Sequence, residues 1–321
     1  MTPASVLVTG GRGFIGRHLV DALRRDGASV RVLTRATPRP DVGEVAGTLA
    51  DPLALARACE GVDTVFHCAG HAHAFSASGA DESRLHREVN YEGSRRLAEV
   101  AAAAGVRRLV FLSSVKASGD GGEACIDEDC PLPPTTPYGQ AKRAAEEALL
   151  DIGGAASMHV TVLRPALVYG AGGRGNMERM GALVRRGLFP PLPETGNRRS
   201  LVHVSDLVDA MRRVTEDARA GGRTYIVAHA QAPSGRQLYD AMRAALGYPP
   251  RGWAVPRSML ELAAWLGDRA GALVGRRMPL DSEIVDRLLG SACYSPRRIE
   301  HELGWRAQVG LEAGLADMFG M

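Results

Sequence analysis

Tyr138 and Lys142 stand four residues apart in Pro137-Tyr138-Gly139-Gln140-Ala141-Lys142, which opens a stretch patterned as a helix over 138–152. Residues i and i+4 share one helical face, so the phenol and the ammonium are held side by side. A phenol ionises near 10, too high for a proton shuttle at neutrality, and a neighbouring cation favours the phenolate. Each unit of such a shift corresponds to about 1.4 kcal/mol. Ser113-Ser114 follows the apolar run Val110-Phe111-Leu112, which reads as a buried strand. At that strand end Ser114 would hold a substrate oxygen between itself and Tyr138. The chemistry that needs this set is proton transfer at an oxygen whose carbon gives or takes a hydride. Ser114, Tyr138 and Lys142 are the candidate catalytic residues.

A Tyr-x-x-x-Lys spacing recurs by chance, so its weight depends on a hydride carrier being bound nearby. Thr9-Gly10-Gly11-Arg12-Gly13-Phe14-Ile15-Gly16 lies directly between the apolar run Val6-Leu7-Val8 and a helical stretch, Phe14–Arg25. Glycines there let backbone approach a pyrophosphate, and the helix tip offers unpaired N–H groups to the phosphates. A glycine triplet alone is weak; one placed between a first strand and a first helix is a strong dinucleotide signal. Gly10, Arg12, Gly13, Phe14, Ile15 and Gly16 are expected cofactor contacts. The second strand ends in Leu33-Thr34-Arg35, without the acid that an NAD-selective protein places on the ribose. Arg12 and Arg35 match a 2′-phosphate, because guanidinium binds phosphate oxygens bidentately. NADP(H) is therefore favoured over NAD(H), the alternative being two solvated arginines.

These residues need a scaffold. Short apolar runs at 6–8, 30–33, 62–66, 109–112 and 160–163 alternate with helical stretches at Phe14–Arg25, Pro52–Cys59, 85–104 and 138–152. That alternation implies right-handed crossovers and a parallel sheet covered on both faces. The expected fold is α/β: a Rossmann-type doubly wound parallel sheet with a smaller, mainly helical C-terminal substrate lobe. Residues 1–165 plus 201–228 would form the dinucleotide-binding domain, and 166–200 plus 229–321 the second lobe. The glycine-rich 170–176 and proline-rich 188–193 read as loops.

Composition narrows the classes. The chain has 321 residues, 45% hydrophobic and 23% charged, with a net charge of +3. That is ordinary for a soluble globular protein, and the weak, dispersed charge speaks against a nucleic-acid partner. Five cysteines, Cys59, Cys68, Cys125, Cys130 and Cys293, form no Cys-x-x-Cys and have no histidine at ligand spacing. The expectation is a reduced, cytoplasmic protein without a metal. The apolar stretch 259–274 carries Glu261, Asp268 and Arg269, so it reads as an amphipathic packing helix and not a membrane span.

Taken together, the motifs resemble the extended short-chain dehydrogenase/reductase family, in its nucleotide-sugar epimerase and dehydratase branch, over essentially the whole chain. Cys68-Ala69-Gly70 after the third run is similar to the family's cofactor-lining segment, and Asn90-Tyr91-Glu92-Gly93 to its Asn-x-x-Gly element. Arg164-Pro165 through Val168-Tyr169-Gly170 resembles the segment passing the nicotinamide, which adds Pro165 to the expected contacts. Gly175-Asn176 and Arg198-Arg199-Ser200-Leu201-Val202-His203-Val204-Ser205-Asp206 look like its substrate elements. The resemblance implies a UDP-sugar substrate, with Asn176 on the nucleotide-sugar and Arg199 on the diphosphate, Arg287 being a second candidate contact. Asn176 equally suits a helix cap, His203 a packing role and Asp206 an N-cap. The resemblance also implies a homodimer formed through the helices carrying Asn90 and Tyr138.

Several positions depart from the pattern. Gly47-Thr48-Leu49 replaces Gly-Asp-Leu near the adenine, where Thr48 and Leu49 would still line the cofactor. Ala117-Ser118-Gly119 replaces Val-Tyr-Gly. Val115-Lys116 stands where dehydratases carry an Asp-Glu pair, which argues against 4,6-dehydration. The reading is a 4-ketoreductase or C4 epimerase, leaning to the reductase through Arg12 and Arg35. The alternatives are a reductase of a non-sugar ketone and a non-catalytic dinucleotide-sensing regulator.

Overall fold

A computed structural model of the chain describes residues 4–71, 79–119, 121–173, 175–274 and 281–320. The chain opens with β1 (Ser5–Thr9), α1 (Phe14–Arg25), β2 (Ser29–Thr34), β3 (Glu44–Ala46), α2 (Pro52–Cys59) and β4 (Thr64–His67). Then come α3 (Gly79–Leu85), α4 (Gly93–Ala103), β5 (Arg108–Leu112), α5 (Pro137–Ala156), β6 (His159–Pro165) and β7 (Leu167–Tyr169). The remainder is α6 (Asn176–Arg185), β8 (Leu201–His203), α7 (Val204–Glu216), β9 (Arg223–Val227) and α8 (Gly235–Ala245). Four helices close the chain: α9 (Arg257–Val274), α10 (Ser282–Leu289), α11 (Arg297–Leu303) and α12 (Leu311–Phe319).

Seven strands form one sheet in the order β3-β2-β1-β4-β5-β6-β9, every pairing parallel. Alternation along β1 feeds two cores. Val6 and Val8 pack with Leu19 and Val20 of α1 and Leu207 and Met211 of α7. Leu7 faces the other way, onto Leu55 of α2, Leu97 of α4 and Leu149 of α5. Side chains on a strand point alternately to opposite faces, and helices bury both. Ile299, Leu303 and Trp305 also lie in the first of these cores. A third core joins Tyr169, Met180 of α6, Tyr239 and Met242 of α8 and Leu289 of α10.

The strand order reverses direction between β1 and β4, which is where open α/β sheets form a ligand crevice beyond the strand ends. Three features differ from the sequence expectation. β3 is an added edge strand; β8 pairs with β7 in a separate two-stranded sheet; and 86–92 is wound as a π-helix between α3 and α4. Such wide turns give no periodic signature distinct from an α-helix, and they recur at functional sites.

The cysteine expectation needs correction. Cys125 and Cys293 are disulfide-bonded with Cα atoms 4.4 Å apart, while Cys59, Cys68 and Cys130 are free. The pairing spans 168 residues and sits where Ile126 bridges Tyr294, an approach no local spacing encodes. The cysteine count therefore gives no ground for a reducing compartment. Closing so long a loop restricts the unfolded chain, so Cys125→Ser or full reduction should cost about 2–4 kcal/mol of stability. Denaturant titration with and without reductant measures this, and coincident curves would refute it.

Candidate active site

The glycine loop is shaped by contacts only glycine tolerates. Gly10 has φ +71°, and a Cβ there would stand 2.7 Å from the Ala69 backbone nitrogen, so the turn presses against the segment leaving β4. Gly13 caps α1, its nitrogen donating to the Gly10 oxygen at 2.9 Å. Across the crevice, the nitrogen of Cys68 donates to the Thr9 oxygen at 3.1 Å and that of Ala69 to Thr9 Oγ1 at 3.3 Å. Phe14 and Ile15 begin the helix tip, partly exposed beside Arg12.

Ser114 follows β5 by two residues and Tyr138 lies in the first turn of α5, whose start is set by Pro137 and by Thr136 Oγ1 accepting from the Gly139 nitrogen at 3.1 Å. The Ser114 hydroxyl hydrogen-bonds Tyr138. Burial pushes the Tyr138 phenol up, and that hydrogen bond works against the shift. Lys142 is 3% exposed; its Nζ donates to the Leu112 carbonyl at 2.9 Å and lies over the Phe111 ring. Burial pushes its ammonium down from 10.5 to about 8, with Glu146 opposing. The same burial raises the Cys68 thiol to about 12 and lowers His67 to about 3, so neither is charged near neutrality. Of the three residues expected to act together, Ser114 and Tyr138 are hydrogen-bonded, and Lys142 lies one turn further along α5 with its Nζ on the Leu112 carbonyl.

The family model for the NAD dependent epimerase/dehydratase family matches residues 6–228. The chain belongs to that family. Among its relatives is a UDP-glucose 4-epimerase of Vibrio cholerae, 31% identical over 97% of this chain and 93% of that protein. A 2-alkyl-3-oxoalkanoate reductase of Stenotrophomonas maltophilia is 27% identical over 97% of each. Among solved structures, MoeE5 in complex with UDP-glucuronic acid and NAD superposes with a TM-score of 0.75, at 29% identity over 99% of this chain and 98% of that one.

As a member of this NAD(P)-binding family, the chain has a cradle that fits the dinucleotide. The helix tip at Gly13 is open, and a side chain on Gly70 would stand 3.0 Å from Asn90 Oδ1 and 3.4 Å from Lys142 Nζ, which keeps that wall bare. Asn90 is fully buried and clamps the wall from behind: its Oδ1 accepts from the His71 nitrogen at 2.7 Å and its Nδ2 donates to the His71 oxygen at 2.8 Å. Pro165 ends β6 beside Val227. Leu49 packs against Gly93, and its oxygen accepts from Arg96 at 2.9 Å; Thr48 Oγ1 accepts from the Ala50 nitrogen.

The arginines expected to choose the cofactor part company. Arg35 is exposed after β2. Arg12 donates through Nε and Nη2 to Glu44, at 3.0 and 2.5 Å, and to the Thr37 oxygen at 2.9 Å. Glu44 also holds Arg39, and the two guanidinium groups keep its carboxyl far below the usual range. Glu44 opens β3, where it pairs with Val32 of β2, and its carboxylate is taken up by these two arginines.

The expected substrate residues fall into two places. Asn176 is exposed at the first position of α6; the N-cap is Gly175, whose nitrogen donates to Glu178 at 2.6 Å. Arg199 and Arg287 do meet, but Arg199 Nη1 donates to the Arg287 and Gly290 carbonyls, satisfying the C-terminus of α10, and Arg287 pairs with Glu283. His203, not Asp206, caps α7; Asp206 instead accepts from the Gln308 and Val309 nitrogens at 3.1 and 3.0 Å. His203 packs edge-on against Tyr169 and reaches Asp317.

Sequence reasoning missed a buried layer under the site. Glu146, one helical turn past Lys142, accepts from Ser113 and from Arg164 Nε and Nη2 at 3.0 and 2.5 Å, and Arg164 reaches Ser118 at 3.2 Å. The spacing Tyr138-Lys142-Glu146 was a legible signal for it. Since Lys142 loses its charge through about pH 8, and with it the attraction that favours phenolate, kcat/KM should fall as pH rises through about 8. A pH profile flat to beyond pH 9 would contradict this.

Proposed function

We propose that the chain catalyses NAD(P)-dependent oxidoreduction at C4 of a UDP-linked hexose or N-acetylhexosamine, as a C4 epimerase. The observation that carries it is the hydrogen bond between Ser114 and Tyr138, with Lys142 one turn further along α5 and its Nζ beside the bare wall at Gly70. A bound nicotinamide dinucleotide supplies the hydride acceptor and donor. Tyr138 takes the proton of the C4 hydroxyl and later returns it, Ser114 holds the oxygen, and Lys142 makes the phenolate affordable in the buried site. Two relatives support the sugar: the Vibrio cholerae protein is a UDP-glucose 4-epimerase, and MoeE5 binds UDP-glucuronic acid. The lean to a reductase rested on Arg12 and Arg35 together, and Arg12 is occupied by Glu44. Of that pair, Arg35, exposed after β2, is left to face a 2′-phosphate. Val115, buried, leaves no acid for 4,6-dehydration beside Ser114.

A second reading, reduction of a non-sugar ketone, is favoured by one observation: the Arg199 guanidinium is spent on carbonyls of α10 and not held open for a diphosphate. The Stenotrophomonas maltophilia relative, a 2-alkyl-3-oxoalkanoate reductase, agrees with it. One experiment separates the readings. Purified protein is denatured, its released nucleotide identified, and native protein incubated with UDP-glucose and UDP-N-acetylglucosamine without added cofactor. Retained nucleotide and formation of C4 epimers are expected. No epimer, with NADPH consumed by a 4-keto sugar, moves the assignment to the ketoreductase; NADPH consumed only by an apolar ketone removes the sugar altogether. We further propose a homodimer through α4 and α5, which carry the partly buried Val100, Ala102, Leu150 and Ile152.

A further inference from the structure

The C-terminal lobe carries an apolar surface that the chemistry above does not use. α9 is 18 residues long, yet only Leu260 and Ala264 are buried. Of the twelve large hydrophobic side chains exposed among the described residues, seven fall in Trp253 and α9, among them Leu262 at 57%, Trp265 at 50% and Leu273 at 89%. Met259, Leu262, Leu266 and Leu273 follow helical spacing and share one face, turned well away from the stripe holding Leu260 and Ala264. The helix was expected to pack by one apolar face; it has two, and the second is uncovered. Contiguous exposed apolar area of this kind marks an interaction surface.

Charge identifies the occupant. Arg269, seven residues past Leu262, is the one charged residue of α9 on that face. Arg257, Glu261 and Asp268 lie together on another flank, where Arg257 pairs with Glu261 at 2.7 Å and Asp268 accepts from Ser282 at 2.6 Å. Arg269 rests over the Trp265 ring at 5.0 Å and Arg251 over Trp253 at 5.6 Å. An exposed tryptophan under an arginine, at the edge of an apolar helix face whose one charge is that arginine, suits the boundary between headgroups and acyl chains of an anionic bilayer. A second copy fits less well, since a two-fold contact through this face would bury two Arg269 side chains with no carboxylate of α9 on the face to answer either.

We infer that α9 is a peripheral docking surface for an anionic lipid bilayer, lying in the interface without crossing it. No helix among the described residues is long and apolar enough to span a membrane. The inference stands apart from the substrate assignment. It is tested by floating the full-length protein with vesicles of phosphatidylcholine, with and without phosphatidylglycerol, at low and high salt. Wild type should float with the phosphatidylglycerol vesicles, with a blue shift of tryptophan emission and weaker binding in salt. The variant Leu262→Ser/Trp265→Ser/Leu266→Ser should lose vesicle binding by more than about tenfold while keeping its circular dichroism and its UDP-sugar turnover. Wild type that stays with the buffer, a variant that floats as well as wild type, or a variant whose sole change is a smaller mass in solution would each overturn it, the last by pointing to a second copy.

Discussion

Replacing Tyr138 with phenylalanine is expected to cut turnover by about 10²–10⁴-fold, the usual worth of a positioned acid or base. The substitution removes one oxygen and keeps the ring, which lies edge-on to the buried His86 ring at 5.5 Å. The start of α5 depends on Thr136 and Pro137, not on the hydroxyl, so the helix and Lys142 stay in place. Cofactor release from the variant should match wild type, because the dinucleotide cradle is built from Gly10, Gly13 and the wall at Gly70. Turnover is measured under saturating sugar and nucleotide, with bound nucleotide quantified on the same sample. Undiminished turnover would remove Tyr138 from the chemistry; lost turnover with lost nucleotide would show a binding defect instead. A non-catalytic sensor predicts neither change.

Glu146→Ala should destabilise the protein by about 3–5 kcal/mol, the range for breaking a buried ion pair from one side. Glu146 and Arg164 are 1% and 4% exposed, and Ser113 donates to the same carboxylate. Without it the guanidinium keeps its desolvation cost and loses its counter-charge. The double variant Glu146→Leu/Arg164→Met should recover much of the loss, since an apolar pair of similar volume needs no compensation. Chemical denaturation of the three proteins measures this. A loss below about 1 kcal/mol for Glu146→Ala would mean that the pair is solvated and structurally idle.

Much of the site was legible because its signals are local. The glycine loop is read from a strand, a turn and a helix contiguous in the chain, and its backbone demands appear as glycines at Gly10, Gly13 and Gly16. Tyr138 and Lys142 are read from a spacing that one helix enforces. The five runs taken as strands all fall in the parallel sheet. Less legible was 85–104, where a helical pattern concealed the π-helical turn carrying His86 and Asn90.

The amino-acid order alone thus determined five strands of the sheet, the glycine loop and the spacing of the candidate catalytic residues, since each follows from periodicity or turn chemistry within a few residues. Packing between distant segments decided the rest. Glu44 captures Arg12 from 32 residues away, because β3 adds beside β2. Cys125 finds Cys293, Glu146 finds Arg164, and Arg199 turns to the end of α10. Whether an arginine meets a ligand, a carboxylate or a helix end depends on which neighbours the sheet order and the C-terminal lobe bring within hydrogen-bond reach, and that is a property of the folded chain.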